Sequence, residues 1–207
     1  MKIAVIAANG RAGQAFVEKA LAAGHSVQAG ILGTSYLKPH PNLTPLPCDA
    51  TKEEDLQRLI SGQEAVVSLI GHVKGSQADV QTKAIEKVVA VMGALKVSRL
   101  ISLTGTGVRF PGDRVTILDR FLNFGVGFVD PDRVHDGQNH VEVIKKSNLD
   151  WTVIRVLKLQ NVPARPFTLT EHGPTKPYVS REEVAEAILQ VLEQNSFIRQ
   201  APIISPV

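Results

Sequence analysis

At 207 residues, with 43% hydrophobic and 21% charged side chains, the chain carries enough apolar material to bury a core without disulfides or metal. Its formal net charge is +3, from 23 Lys+Arg against 20 Asp+Glu, and no basic run accompanies it. That balance argues against nucleic acid as a partner, while the small positive excess suits an anionic cofactor.

The single cysteine, Cys48, excludes an internal disulfide and lies in an apolar, proline-flanked stretch, which predicts a small packed residue rather than a nucleophile. The opening run Met1 to Ile6 is too short for a signal-peptide core or a membrane span. The expectation is a cytoplasmic protein that uses no membrane or nucleic acid, takes a small-molecule substrate, and works as a monomer or homodimer.

In chain order, Ile3 to Ala7 predicts a buried strand. Gln14 to Ala23 carries Phe16, Val17, Ala20 and Leu21 at helical spacing, with Gly24 as its stop. Ser26 to Leu32 predicts a second strand and Leu43 to Pro47 a third, shortened by its prolines. Asp49 and Thr51 precede a short helix over Glu53 to Ile60, whose acidic first turn suits the helix dipole. Ala65 to Ile70 is a strongly apolar strand ending at Gly71, and Ala78 to Leu95 a long helix with Val80, Ala84, Val88 and Val91 on one face. Arg99 to Leu103 predicts the next strand, followed by the small-residue turn Thr104-Gly105-Thr106-Gly107.

Phe110 to Gly137 is less regular and rich in Gly, Asp and Pro, and a helix is expected from about Gln138 to Ser147. Trp151 to Val156 predicts a strand, and Arg181 to Gln194 a final amphipathic helix opened by Ser180 with Glu183 as a capping box. Residues 108–137 and 157–179 are then substrate-side loops. The alternation predicts an α/β fold of Rossmann type: a doubly wound, mostly parallel sheet with helices on both faces, in one domain over residues 1–207. The continuously apolar strands agree, because central parallel strands are buried on both sides.

The segment Ala7-Ala8-Asn9-Gly10-Arg11-Ala12-Gly13 joins the first strand to the first helix. A dinucleotide pyrophosphate needs a tight turn, free backbone N–H groups and the positive end of a helix dipole. Gly10 lets the backbone approach the phosphates, and Gly13 lets the helix pack on the sheet. Ala7 stands where the usual G-x-x-G-x-x-G pattern begins with glycine. An ordinary strand-to-helix turn is the alternative, but the position at the head of a βαβ series favours cofactor binding.

With these residues in view, the chain resembles the atypical short-chain dehydrogenases, in particular the NAD(P)H-binding group of NADH-flavin reductase-like, biliverdin reductase B-like and NmrA-like proteins. Ile3 to Gly13 resembles their opening, which usually reads G-A-T-G-x-x-G. Cys48-Asp49-Ala50-Thr51 resembles a G-D-x-x segment whose Asp lies near the adenine. Leu69-Ile70-Gly71 resembles the end of strand four that borders the cofactor; His72 follows it, and either faces the cofactor or is a solvated loop residue. Arg99 to Thr104 resembles the strand-five motif ending in Ser-Ser, and Ser147 to Arg155 is similar to S-G-L-D-W-T-I-V-R-P. The resemblance implies a cofactor site built from Ala8, Asn9, Gly10, Arg11, Ala12, Gly13, Leu32, Asp49, Ala50, Ile70, Gly71, His72, Thr104 and Val156.

Three departures stand out. Leu32 or Gly33 replaces the usual Arg after strand two, and Val156 replaces the Pro after the final Arg. The Tyr-x-x-x-Lys pair is missing, and His135-Asp136-Gly137-Gln138-Asn139 occupies its place. His135 can serve as the acid in place of Tyr, the alternative being a surface loop residue. Thr104 can hold a substrate oxygen, so Thr104 and His135 are the catalytic candidates.

The six histidines show no H-x-x-x-H or H-E-x-x-H spacing, so no metal site is expected. Neither a G-x-S-x-G elbow nor a phosphate-loop G-K-[ST] occurs. Asp130, Asp132, Glu182 and Glu183 are expected as solvated charge. Two functions compete: hydride transfer from a nicotinamide cofactor to a small flavin, quinone or carbonyl substrate, and a non-enzymatic NAD(P)-binding redox sensor of NmrA-like type. NADP is expected over NAD. No acid follows strand two before Asp49, and Arg11, Thr34, Ser35 and Lys38 are available to a 2′-phosphate.

Overall fold

The computed structural model describes residues 1–73 and 75–207, with the side chains of all of these except 126–129. The first wing of its sheet is β1 (Lys2–Ile6), β2 (Ser26–Ile31) and β3 (Leu43–Pro47); the second begins with β4 (Ala65–Ser68), β5 (Arg99–Gly105) and β6 (Asp150–Val156). Later come the short β7 (Leu159–Gln160), β8 (Phe167–Thr170), β9 (Val179–Ser180) and β10 (Ile203–Pro206). Among the described residues the main sheet runs β3-β2-β1-β4-β5-β6-β10-β8, and β7 pairs with β9 apart from it. Every pairing in the main sheet is parallel except β10 with β8. The direction of winding reverses between β1 and β4, so a crevice opens at the carboxyl ends of these two strands.

The helices are α1 (Arg11–Ala22), α2 (Glu53–Ile60), α3 (Val80–Leu95), α4 (Ile117–Val129), α5 (Pro131–Lys146) and α6 (Arg181–Glu193). Strand alternation divides the core between the two faces. Ile3 and Val5 pack with Phe16 and Val17 of α1 and Ile188 and Val191 of α6. Ala4 and Ile6 pack with Leu56 and Leu59 of α2, Ile85 and Val88 of α3, and Val141 and Ile144 of α5. Cys48 belongs to the second cluster, and burial pushes its thiol up to about 12, which makes it inert packing. No helix among the described residues is long and apolar enough to cross a membrane.

Residues 108–137 are not simply loop: α4 and the first half of α5 lie there. Asp130 is the N-cap of α5, accepting from the Arg133 amide at 3.2 Å, and Pro131 follows at the first helical position. Ile117, Phe121 and Phe124 of α4 are exposed and do not join the core. Residues 157–179 are mostly irregular, interrupted by β7 and β8.

At the start of α6 the capping box forms as expected: the Glu183 amide donates to Ser180 Oγ at 2.9 Å, and the Ser180 amide to Glu183 Oε2 at 2.9 Å. Glu183 is not the solvated charge expected of it. It is fully buried and also accepts from Arg165 Nε at 3.0 Å.

The prolines of β3 are tolerated because β3 is an edge strand. The Cys48 amide points inward to Ile31 O at 2.9 Å, so by alternation positions 45 and 47 face outward, where a missing N–H breaks no ladder bond.

Two arginines lie inside strands. Arg155 of β6 is fully buried and uses every donor it has: on Ala201 O, Val108 O, Glu171 O and both oxygens of Asp113, with its plane 4.7 Å from the Phe110 ring centre. Those contacts tie β6 to the segment after β5 and to the turn after β8. Arg99 of β5 donates to Asp150 O, Thr152 Oγ1, Val191 O and Ser196 O, and burial brings its pKa down to about 10.

Candidate functional site

The turn from β1 into α1 has the shape a pyrophosphate needs. Ala7 takes a left-handed conformation, φ +59°, at the point where the usual motif carries glycine. The Gly10 amide closes the turn on Ala7 O at 3.0 Å. A Cβ on Gly13 would stand 2.3 Å from Ala7 O and 2.7 Å from Ala8 O, so only glycine lets α1 come this close to the strand. Gly10 is the N-cap and provides no side-chain cap, and the amides of Arg11, Ala12 and Gly13 find no acceptor among the described residues. These open donors at the positive end of α1 fit a dinucleotide pyrophosphate.

Asn9 fixes the turn to the end of β2. Its Nδ2 donates to Leu32 O at 2.9 Å and Thr34 O at 3.2 Å, while Gln14 Nε2 donates to Asn9 O at 2.7 Å. Gly30 of β2 lets α2 pack closely, since a Cβ there would lie 2.6 Å from Leu59 Cδ2. Leu32 is exposed, with Thr34 and Ser35 exposed behind it.

Arg11 is the first residue of α1. It lines a cavity of about 440 Å³ with Arg181, Gln160 and Asn161, on the α6 side of the turn, and none of residues 32–35 borders that cavity. Burial lowers the Arg181 pKa, and repulsion from Arg11 lowers it further. Arg11 thus stands near a second cation, Arg181.

The remaining cofactor candidates all stand at carboxyl ends of parallel strands. Asp49 and Ala50 follow β3; Asp49 Oδ1 accepts from the Thr51 amide at 3.0 Å and hydroxyl at 2.7 Å, so it is engaged in its own turn. Ile70, Gly71 and His72 follow β4, Thr104 lies at the end of β5, and Val156 at the end of β6, where its carbonyl accepts from the Thr106 amide at 2.9 Å.

Between β4, β5 and α5 lies a cluster of buried polar groups. Asp136 accepts from the Gln81 amide at 2.8 Å, the Thr82 amide at 2.9 Å, the Thr82 hydroxyl at 2.5 Å and His72 Nε2 at 2.8 Å. A carboxylate of α5 thus caps the first turn of α3, where Asp79, the N-cap itself, makes no side-chain cap. Burial pushes the Asp136 pKa up, but the Thr82 hydroxyl, the two amides and His72 outweigh it, and the carboxyl stays below its ordinary value.

One turn on, His140 and Ser102 share a hydrogen bond of 2.9 Å. Burial drives the His140 pKa down to about 4 despite the nearby Asp136 charge, so the ring is neutral at physiological pH. Thr104 is buried against Gly137, where a Cβ would come within 3.3 Å of Thr104 Oγ1. Beyond β5, Thr106 donates to Asp119 Oδ1 at 2.7 Å, and Asn123 donates to the same oxygen at 2.6 Å, anchoring α4 next to the strand end.

His135 lies on α5, not in a loop. It is exposed, as is Asn139 one turn later, and among the described residues its side chain makes no hydrogen bond. The fold turns the next residue, Asp136, inward to the end of β4 instead. Sequence patterns identify His72 and Thr104 but not Asp136, Gln81 or Thr82, whose partners lie 54 to 64 positions apart in the chain.

Comparison with solved structures gives the same architecture. A short-chain dehydrogenase/reductase from Veillonella parvula, crystallised with NADP, matches at TM-score 0.84 and 18% identity over 99% of this chain and 94% of that one. An oxidoreductase from Lactococcus lactis matches at TM-score 0.83 and 16% identity, over 100% of this chain and 91% of its own. A Streptococcus pneumoniae protein with a proposed NADH-flavin reductase identity matches at TM-score 0.80 and 20% identity, over 100% of both chains. At these identities the likeness is one of fold. The sequence itself matches the model of the NAD(P)H-binding family over residues 7–195. The chain has a Rossmann-type fold and belongs to the NAD(P)H-binding family.

Proposed function

We propose that the protein is an NAD(P)H-dependent reductase of a small flavin, quinone or carbonyl acceptor, and that it prefers NADP(H). The observation that carries this is the pairing of two features at one crevice. The open amides of Arg11, Ala12 and Gly13 lie on the β1 side. Thr104 and the buried His72–Asp136 pair lie on the β4–β5 side. The first feature supports holding a pyrophosphate, and the second supports polar chemistry where a nicotinamide ring would reach. The exposed Phe121 and Phe124 of α4, anchored beside the end of β5, favour a flat, apolar acceptor.

The NADP preference rests on charge. No carboxylate lies between Gly30 and Cys48, and Thr34, Ser35 and Lys38 follow β2. The Veillonella relative crystallised with NADP is consistent with it. Titration with NADPH and NADH, followed by NADPH oxidation with flavins, quinones and aldehydes, tests both points. The expected result is about tenfold or tighter binding of NADPH and acceptor-dependent oxidation. Tight binding without turnover on any acceptor would overturn the reductase in favour of a redox sensor. Tighter NADH binding would overturn the preference.

A further inference from the structure

His72 follows β4 and its side chain is only 8% exposed; its partner Asp136 adjoins Gly137, which packs against Thr104. Its Nε2 lies 2.8 Å from Asp136 Oδ2. Asp136 is kept ionised by its other donors and can only accept, so the proton between them belongs to Nε2. The lone pair of the neutral ring then falls on Nδ1, for which the described residues provide no hydrogen-bond partner. The carboxylate does not need the histidine for its own satisfaction, because Gln81 and Thr82 already supply three donors. A ring fixed by a buried carboxylate through one nitrogen can give a proton from the other without turning.

We propose that His72 is the proton donor of the reductase reaction, with Asp136 as its positioning residue, and that the acceptor is the carbonyl group of an aldehyde, ketone or quinone. This rests on the reductase function. The bound cofactor, a reduced nicotinamide, supplies the hydride. As the new C–H bond forms, the π pair of the acceptor carbonyl moves to oxygen. That oxygen takes the proton from Nδ1 of the His72 imidazolium: the N–H bond breaks, the O–H bond forms, and the ring is left neutral with Nε2–H still on Asp136. A solvent proton restores the imidazolium. The acceptor gains one hydride and one proton, and the nicotinamide is oxidised. Asp136 holds Nε2–H and prevents the ring from flipping. His135, exposed and without a carboxylate partner among the described residues, lacks this arrangement.

The test uses the full chain, its His72→Ala and Asp136→Asn variants, and NADPH with a panel of quinones and aldehydes headed by menadione and benzaldehyde. His72→Ala is expected to lower kcat by about 100-fold or more, with NADPH affinity within about threefold of the parent. Added imidazole should restore at least about tenfold of the loss, which a merely structural role would not allow. Histidine nitrogen NMR of the parent, which needs no variant to fold, should show His72 in the Nε2–H form. Its Nδ1 resonance should move on addition of NADP, and Asp136→Asn should lose the single tautomer. A His72→Ala enzyme with kcat within about threefold of the parent overturns the inference and leaves the reductase function standing. An Nδ1 resonance unmoved by NADP overturns the inference whether or not the enzyme turns over. A folded, cofactor-binding parent that reduces nothing in the panel overturns the reductase function and the proton transfer with it.

Discussion

Arg155 and Asp113 meet as a two-pronged ion pair: Nη1 reaches Oδ2 at 2.5 Å and Nη2 reaches Oδ1 at 2.8 Å, with the two side chains 0% and 4% exposed. Burial pushes the Asp113 pKa up, but the guanidinium and the Phe110 amide outweigh it and hold the carboxyl below its ordinary value. Truncating one partner strands the other in a dry site. Arg155→Met should therefore lose about 3–5 kcal/mol of stability, read by urea unfolding. Arg155→Met combined with Asp113→Leu should recover part of that loss. A single variant as stable as the parent would show that the pair carries nothing.

Gly13 and Gly10 should respond differently to the same methyl group. A Cβ on Gly13 would meet Ala7 O at 2.3 Å, whereas on Gly10 the nearest atom is Ala7 O at 3.2 Å. Gly13→Ala is expected to cost about 1–3 kcal/mol through displacement of α1, and to weaken NADPH binding because the open amides move with the helix. Gly10→Ala should cost clearly less stability. Thermal unfolding and fluorescence titration check both, and equal effects at the two positions would contradict the geometry.

Ala7→Gly should strengthen the fold. The left-handed φ of +59° costs an alanine more than a glycine, and the gain is partly offset by the freer unfolded chain. A net gain of about 0.5–1 kcal/mol is expected from these opposing contributions. A lower melting temperature would mean that the Ala7 methyl makes packing contacts worth more than the strain.

Stability should fall as the medium is acidified below neutrality. His140 is neutral in the fold, with its pKa lowered to about 4 from the ordinary 6.5. Between those two values the unfolded chain binds the proton and the folded one does not, so stability is complete above the upper value and declines toward the lower one. The slope from this one group reaches about 1.4 kcal/mol per pH unit. His140→Gln should flatten that part of the profile. Asp113 and Asp136, held below the ordinary carboxylate value of 3.8, add a further loss only at more acidic pH. An unchanged slope in His140→Gln would assign the acid sensitivity elsewhere.

The six strands β1 to β6 and the capping box of α6 are legible in the sequence because local rules decide them. Apolar runs between turn residues mark the strands, and Ser180 with Glu183 marks the cap. α4 is not legible in this way. Its Ile117, Phe121 and Phe124 face solvent, and its glycine at 125 weakens helix propensity. The start of α5 carries the local signal Asp130-Pro131, but its inward face holds Asp136, Gly137 and His140 where an apolar stripe would be expected. Asp136 is paired with Gln81, Thr82 and His72, and His140 Nε2 with Ser102, and no local pattern announces such distant pairings. The same holds for the candidate site. The glycine turn can be recognised from spacing, but the nearness of Arg11 to Arg181 and the capping of α3 by Asp136 follow only from the positions of α6 and α3.

The prolines at 45 and 47 have a consequence for how copies of this protein meet. β3 leaves one edge of the sheet open to solvent, and an open edge with a full row of donors and acceptors invites a strand from another molecule. Here two successive outward positions lack an N–H, so an incoming strand finds carbonyls without their companion donors. The edge is thereby made a poor template for cross-chain β pairing, and resistance to aggregation is written into the same two residues that shorten the strand.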